Sequence, residues 1–323
     1  MFPIRSPRRT DICKPERLAA GEGKRQFAET QTMKRFAAAA IIFALVTGMV
    51  LAQRGFRGGY GGRGVRRGYY EDYRTPREIT QHGNETPTWT NAPGFEKDVF
   101  TFVRMKRASV PYRYSGGPWD TDTPDSDLNL SYRLQQVTSL KVDPNGLFLR
   151  ITDDELADHP FIYMVEPGSL ELRDEEAVAL RNYLMNGGFL FLDDFWGERE
   201  WAGMAEQLKK VFPNRDFVEL PLDHPLYQCV LHIQSKGQVP NVYLGTQSEF
   251  DPEHRTWERP DATVVHHRAI FDDKGRMMVI ATHNTDNGDG WEWEGDNHYY
   301  FEHFSEKIAY PLAINIIFYA MTH

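Results

Sequence analysis

Two aspartates stand directly after a run of four apolar residues, in the sequence Phe189-Leu-Phe-Leu-Asp193-Asp194. A continuous apolar run of this length is typical of a strand buried on both faces of a parallel sheet. Ligands of such sheets bind beyond the carboxyl ends of the strands, where Asp193 and Asp194 would lie. Paired carboxylates at that position could hold a hard cation or move protons in catalysis.

Further polar and aromatic side chains follow other predicted strands and complete a candidate site at the same edge. Aspartate and histidine side chains could together hold a divalent cation, and such an ion could activate water for hydrolysis. The candidate metal ligands are Asp193, Asp194, His224 and His283, and the candidate catalytic residues are Asp193, Asp194 and His283. The candidate ligand-binding residues are Trp119, Asp122, Asn129, Asp193, Asp194, Trp196, His224, His283, Asn284, Asp286 and Trp291.

Structural roles are an alternative for single members of this set. Asp193 could cap the helix after its strand, and Asp122 or Asp127 could cap an earlier helix. Capping does not account for the two histidines, which favours a binding site for the set as a whole. The tryptophans near acidic groups would suit a sugar ring, although burial in the core is the common role of tryptophan.

The segment after His283 superficially resembles a calcium loop. Its acids, Asp286 and Asp289, stand three positions apart. An EF-hand instead places acids at alternate positions, with a glycine at the sixth and a glutamate at the twelfth. The segment therefore does not predict an EF-hand. A glycine-rich turn that holds Asp286 and Trp291 at the mouth of a site and an ordinary surface turn both remain open.

The elements that position these residues alternate between strands and helices over the first two-thirds of the domain. This alternation predicts an α/β fold with a doubly wound, mostly parallel sheet. A late β-hairpin around the turn signal at residues 272–275 adds antiparallel strands. We predict strands at residues 99–106, 147–151, 161–165, 189–192, 217–220, 263–271 and 277–282, and helices after residue 127 and at residues 174–185, 198–211 and 304–321.

The first 97 residues are predicted to lie outside this domain. Residues 1–32 are polar and without periodicity, which indicates a misassigned start or a disordered extension. The basic start at Met33 and the apolar run after it predict a secretory signal peptide at residues 33–52. An uncleaved membrane anchor is the alternative, although the run is shorter than the roughly 20 residues of a spanning helix. The Gly/Arg-rich composition predicts a flexible linker at residues 53–97, before a single domain at residues 98–323.

Charge and cysteine content limit the partners of the mature chain. Cleavage after Ala52 would leave 28 basic and 42 acidic side chains, a net charge of −14. An acidic body of this kind argues against nucleic acid as a partner. Cys229 would be the one remaining cysteine, which excludes an internal disulfide and a zinc-type cysteine cluster. Membrane association is expected only through an uncleaved N-terminal segment.

Separated motifs occur in one order along the domain: Trp119-Asp-Thr-Asp with Asp127-Leu-Asn129-Leu, Pro160-Phe-Ile-Tyr-Met, Gly187-Gly-Phe-Leu, Asp193-Asp194, Asp223-His224-Pro225 and His283-Asn284-Thr-Asp286-Asn-Gly-Asp289-Gly-Trp291. Together they resemble the bacterial family known as domain of unknown function 4159, from about residue 99 to the C-terminus. The resemblance implies a flavodoxin-like sheet, similar to class I glutamine amidotransferase domains, in an envelope protein. It implies no activity.

The residues themselves exclude glutaminase chemistry. Amidotransferases of that class place a cysteine on a Gly-x-Cys-x-Gly elbow after a strand, whereas the corresponding segment here, residues 192–196, has no cysteine or serine. Cys229 lacks flanking glycines, and a buried inert thiol is its expected state.

We therefore expect an extracytoplasmic, periplasmic or secreted domain that binds a glycan, a peptide or an envelope protein at the carboxyl edge of its sheet. The alternative is a metal-assisted hydrolase of an envelope glycan or peptide. In that scheme Asp193, Asp194 and one of His224 and His283 hold the ion, and the other imidazole or Asp286 moves protons. A divalent cation is the one cofactor considered. Side chains within about 5 Å of one point would favour the hydrolase, because metal ligands lie ~2.0–2.6 Å from their ion.

Overall fold

The computed structural model describes residues 72–80, 86–94, 98–107 and 119–323. The strands are β1 (Val103–Lys106), β2 (Leu147–Arg150), β3 (Phe161–Val165), β4 (Phe189–Asp193), β5 (Val218–Glu219), β6 (His266–Phe271) and β7 (Met277–His283). The α-helices are α1 (Asp125–Val137), α2 (Asp174–Met185), α3 (Gly197–Val211), α4 (Val242–Ser248), α5 (Asn287–Glu292), α6 (His298–Tyr300) and α7 (Tyr310–Thr322), with a π-helical stretch at Phe301–Ala309. Among these helices, none combines the length and the apolar character needed to cross a bilayer.

The strands form one sheet in the order β2-β1-β3-β4-β7-β6-β5. Strands β2, β1, β3, β4 and β7 are parallel, while β6 is antiparallel to β7 and β5 is antiparallel to β6. If the five parallel strands alone are numbered in chain order, so that β7 is the fifth, their order across the sheet is 2-1-3-4-5. This is a doubly wound order whose switch point lies between β1 and β3. The predicted α/β class, with its mostly parallel sheet and late antiparallel strands, is confirmed.

The hairpin enters the sheet in a way that the sequence did not predict. Its second arm, β7, is buried along its whole length and pairs in parallel with β4, with Leu190 opposite Val279. Only β6 and the short β5 are therefore antiparallel additions. The pairing brings the residues after β7 next to the residues after β4, at one edge of the sheet.

Each face of the sheet packs against its own set of helices. Tyr163 and Phe191 belong to a core shared with α1 and α7, whereas Met164 and Leu192 belong to a core shared with α2 and α3. Burial on both sides explains the uninterrupted apolar runs of the central strands. Successive residues of one strand therefore lie in different cores, and only polar residues on the same face of the sheet can meet.

Local capping at α1 differs from the prediction. The helix begins at Asp125 after Pro124, and no side chain caps it. Asp127 instead accepts hydrogen bonds from Nε of Arg104 on both carboxylate oxygens, each at 3.0 Å. Because a buried guanidinium charge is costly without a carboxylate partner, Asp127 pairs with Arg104 and does not cap the helix.

Parts of the predicted linker pack against the domain. The amide of Phe148 donates to the carbonyl of Arg74 at 2.8 Å, so this segment lies beside β2. Ile79 is 2% exposed, and Nη1 of Arg77 donates to the carbonyl of Thr86 at 2.7 Å. Ordered packing thus begins before residue 98. The predicted extension at residues 1–32 and the signal peptide at residues 33–52 lie outside the described residues.

Candidate functional site

Three parallel strands are each followed directly by a polar residue in the left-handed backbone region. Glu166 follows β3 with φ 50°, Asp194 follows β4 with φ 56° and Asn284 follows β7 with φ 64°; Asp122 also has φ 64°. Residues other than glycine are rare in this region, and such strain clusters at functional sites. The carboxyl edge of the sheet, where ligands of doubly wound folds bind, is therefore the candidate location of a functional site.

Helix α5 supplies two buried carboxylates at this edge. Asp286 is its N-cap, and Oδ1 of Asp286 accepts a hydrogen bond from the amide of Asp289 at 2.8 Å. Oδ2 of Asp289 accepts from the amide of Val242, at the start of α4, at 2.7 Å. The first turn of α5 also contains Gly288, whose missing side chain leaves room for the carboxylate of Asp122.

These three aspartates converge on one point. Asp122, Asp286 and Asp289 each offer one carboxylate oxygen, and the three oxygens lie within 4.8 Å of one another. The negative charges of Asp289 and Glu292 act on Asp122, and ionised carboxylates are this close only at a cost unless a proton or a cation lies between them. Oδ2 of Asp122 is shielded from water and has no hydrogen-bond partner among the described residues. We call Asp122, Asp286 and Asp289 the acidic triad.

The electrostatics of the triad favour bound positive charge. Burial raises the pKa of Asp122 well above its usual value, and the charges of Asp289, Glu292 and Asp194 raise it further. Burial and the neighbouring charges likewise raise the pKa of Asp286 well above its usual value and raise that of Asp289. Arg104 acts in the opposite direction on Asp122 without offsetting these effects. A site built only of carboxylate oxygens is suited to Ca²⁺, Mg²⁺ or Mn²⁺.

Asp193 stabilises the first turn of α5, next to the triad. Its carboxylate is completely buried and accepts from Oη of Tyr163 at 3.2 Å, Nδ2 of Asn287 at 2.7 Å, the amide of Gly288 at 3.1 Å and Oγ1 of Thr282. Burial raises its pKa to about 6. With its oxygens occupied by these donors, Asp193 fixes the first turn of α5 and is not placed as a metal ligand.

Two further carboxylates follow the neighbouring strands β3 and β4 at the same edge of the sheet. Asp194 has a pKa raised well above its usual value, first by burial and then by Glu166, and its Oδ1 accepts from Nε1 of Trp196 at 3.1 Å. Burial and the charge of Glu200 raise the pKa of Glu166 to about 7. Glu166 follows β3 and is therefore beside the switch point of the sheet.

The histidines do not join the acidic cluster, by which we mean the triad together with Asp194, Glu166, Glu258 and Glu292. His283 ends β7 at the same edge as Asp194, but its ring stacks on Phe195 and its Nε2 lies 3.0 Å from the carbonyl of Gly197. Burial lowers its pKa to about 4, so it is neutral at pH 7. His283 lies apart from the acidic residues because successive side chains of a strand point to opposite faces of the sheet. It packs toward α3, whereas Thr282 and Asp193 lie on the other face.

His224 is displaced from the predicted edge altogether. Its ring packs against Phe271 and Tyr319. Phe271 pairs with Met277, the first residue of β7, so His224 lies toward the opposite end of the sheet. The chain folds back after the two-residue strand β5, and the expectation that His224 meets Asp193, Asp194 and His283 was wrong.

The predicted tryptophan and asparagine contacts are mainly structural. Trp119, Trp196 and Trp291 are each at most 3% exposed, so none of the three can stack on a sugar in this structure. Asn129 donates to the carbonyl of Trp291 at 2.8 Å and thereby joins α1 to α5. Oδ1 of Asn284 accepts from the amide of Gly197 at 2.8 Å, at the start of α3.

Sequence reasoning missed several members of the acidic cluster. Glu166, Glu258 and Glu292 were not selected, and Asp289 was considered only as a loop residue. One signal was present: Asp286 and Asp289 have the spacing of an N-cap and the third helical residue, which brings the two side chains together. The glutamates have no comparable local signature, because long-range packing alone brings them to the cluster.

The fold and the site define a doubly wound α/β domain with a buried acidic cluster at the carboxyl edge of its sheet. A family model described as domain of unknown function (DUF4159) matches residues 107–321, and the chain belongs to that family. The match includes β2 to β7 and all three residues of the triad. A comparison with curated proteins returned no match.

Proposed function

We propose that this chain is a cation-dependent binding domain that holds one divalent metal ion between Asp122, Asp286 and Asp289. The convergence of three carboxylate oxygens within 4.8 Å supports the proposal, and the unpaired Oδ2 of Asp122 adds to it. Calcium takes six to eight oxygen ligands and magnesium takes six. Three aspartates leave part of that coordination to an external ligand.

The domain is further proposed to act outside the cytoplasm, in the periplasm or after secretion. The signal-peptide pattern at residues 33–52 supports this location. The proposed ligands are a glycan, a peptide or another envelope protein. The acidic cluster disfavours nucleic acid, whose phosphates it would repel.

Isothermal titration of the chelator-treated chain with Ca²⁺, Mg²⁺ and Mn²⁺ tests the ion site. We expect binding of one ion per chain, and its loss in the double variant Asp286→Asn, Asp289→Asn. The matched control is Asp158→Asn, which removes an exposed carboxylate outside the cluster. Equal ion binding by the double variant and the unsubstituted chain would overturn the assignment.

Metal-assisted hydrolysis is the second candidate function, and the state of Glu166 favours it. A carboxylate with a pKa of about 7 can act as a general base at neutral pH. A divalent cation would supply Lewis acidity, and Glu166 would accept the proton of the attacking water. The test measures release of reducing ends or free amines from purified peptidoglycan with each cation. Ion-dependent release that Glu166→Gln abolishes would establish this function, and no release with any cation would exclude it for this substrate.

A further inference from the structure

A groove lies between α4 and the segment that follows it. Its volume is about 580 Å³, and it opens to solvent. Its wall includes Leu244, Gln247, Phe250, Arg255, Trp257 and Glu258. None of these residues belongs to the acidic triad or was selected from the sequence.

The groove is joined to the ion site through the start of α4. Oε1 of Glu258 accepts from the amide of Asn241 at 2.9 Å and from its Nδ2 at 2.7 Å. The next amide, that of Val242, donates to Asp289 of the triad. Consecutive peptide groups are thus held by a groove residue and by a triad residue. These two contacts lie at adjacent residues, which brings the groove residue Glu258 close to Asp289 of the triad.

The chemistry of the wall combines ring faces with hydrogen-bonding groups. Phe250 is 79% exposed, and the partly exposed Trp257 lines the same groove. Nε of Arg255 donates to Asp251 at 2.6 Å, which restrains the guanidinium at the groove wall. A pyranose ring has an apolar C–H face and a rim of hydroxyl groups, and both complement such a wall.

We propose that this groove binds a neutral carbohydrate, whose hydroxyl oxygens complete the coordination of the ion held by Asp122, Asp286 and Asp289. The inference rests on the proposed ion site, because a hard cation with open positions selects an oxygen-rich ligand. The negative charge of the cluster disfavours anionic polymers. A basic peptide is the competing ligand, and the experiment separates it from a sugar.

The experiment measures binding of the full chain to an array of neutral and acidic oligosaccharides that includes chitotetraose, cellotetraose and maltotetraose, and to a lysine-rich peptide. Each probe is tested in calcium and in chelator. We expect a neutral oligosaccharide to bind in calcium and to lose at least about tenfold in affinity in chelator. Phe250→Ala and Trp257→Ala should each weaken sugar binding about tenfold or more while calcium affinity stays unchanged. Tyr243→Ala is the matched control, because Tyr243 is 72% exposed on α4 but does not line the groove.

The outcomes separate the two proposals. Absence of binding of Ca²⁺, Mg²⁺ and Mn²⁺ would overturn the ion site and this inference with it. Calcium binding without binding of any array sugar would overturn the carbohydrate groove alone. Sugar binding that is equal in calcium and in chelator would overturn the shared coordination. Binding of the peptide in place of the sugars would overturn the ligand class.

Discussion

Oδ1 of Asp286 accepts a hydrogen bond from the backbone amide of Asp289 at 2.8 Å, and both carboxyl groups converge with that of Asp122. The same contact begins helix α5 and brings two acids together. The three-residue spacing of Asp286 and Asp289 does not match an EF-hand, but it matches the N-cap and the third residue of a helix. The cost of placing these charges together is high in the absence of a proton or a cation.

Removing one charge of the triad should stabilise the ion-free chain and abolish its response to ions. Asp289→Asn keeps an oxygen that can accept a hydrogen bond from the amide of Val242. It removes the charge of a carboxyl group whose pKa is raised by burial and by neighbouring acids. We expect a higher melting temperature in chelator and no further rise with calcium. Thermal melts with and without calcium measure both effects. A calcium-dependent rise as large as that of the unsubstituted chain would contradict the prediction.

The support given by Asp193 should appear as a change in ion affinity. Asn287 and Gly288 donate hydrogen bonds to the two carboxylate oxygens of Asp193. In Asp193→Asn an NH₂ group replaces one of these oxygens, so the first turn of α5 loses its fixed position. We expect calcium affinity to fall about tenfold or more, measured by titration calorimetry. Tyr163→Phe is the control, because it removes one donor at a cost of about 1 kcal/mol and leaves α5 attached. Equal calcium affinities in the two variants would show that Asp193 does not position the triad.

The close approach of Asp122 to Gly288 predicts a specific steric effect. A methyl group at this position would collide with Oδ2 of Asp122. Gly288→Ala should therefore weaken calcium binding while the chain still folds. Gly187→Ala is the control, since Gly187 has φ 111° and open space around it. That control should lower the melting temperature and leave calcium affinity unchanged; the reverse pattern would contradict the placement of Asp122.

The raised pKa values predict an unusual dependence of stability on pH. A carboxyl group with a higher pKa in the folded chain binds more protons there than in the unfolded chain, so stability falls as pH rises. For Asp193 the fall begins near its usual value of about 4 and continues through about 6, and the triad acts in the same direction. In chelator the melting temperature should drop between pH 4.5 and pH 7, and calcium should restore more stability at pH 7 than at pH 4.5. A chelated chain that becomes more stable over this range would disagree with the buried cluster.

The fold was predictable because its signals are local. The apolar runs of β3 and β4 and the periodicity of α2 and α3 fix the central strands and helices to within one residue of the predicted bounds. Even the hairpin turn before β7 was predictable. Its parallel pairing with β4 was not, because strand neighbours are chosen by packing over the whole domain.

The site was predictable only in part. Asp122, Asp194 and Asp286 lie in or beside the cluster because parallel strands end at one edge. His283 reaches that edge but packs in the other core, since one step along a strand reverses the direction of a side chain. The tryptophans near the acids are buried in the core and do not expose a ring face on which a sugar could stack. Exposed aromatic rings occur elsewhere, at Phe250 and Tyr243.

Elemental analysis of the purified chain, combined with its thermal melt, tests the ion site most directly. We predict close to one equivalent of calcium, magnesium or manganese per chain. At a hundredfold excess of the ion over its Kd, the stabilisation is about 2.7 kcal/mol, or a rise in Tm of about 5–10 °C relative to chelator. A metal-free chain whose melt is identical with and without these cations would contradict the proposal that the acidic triad binds a metal ion.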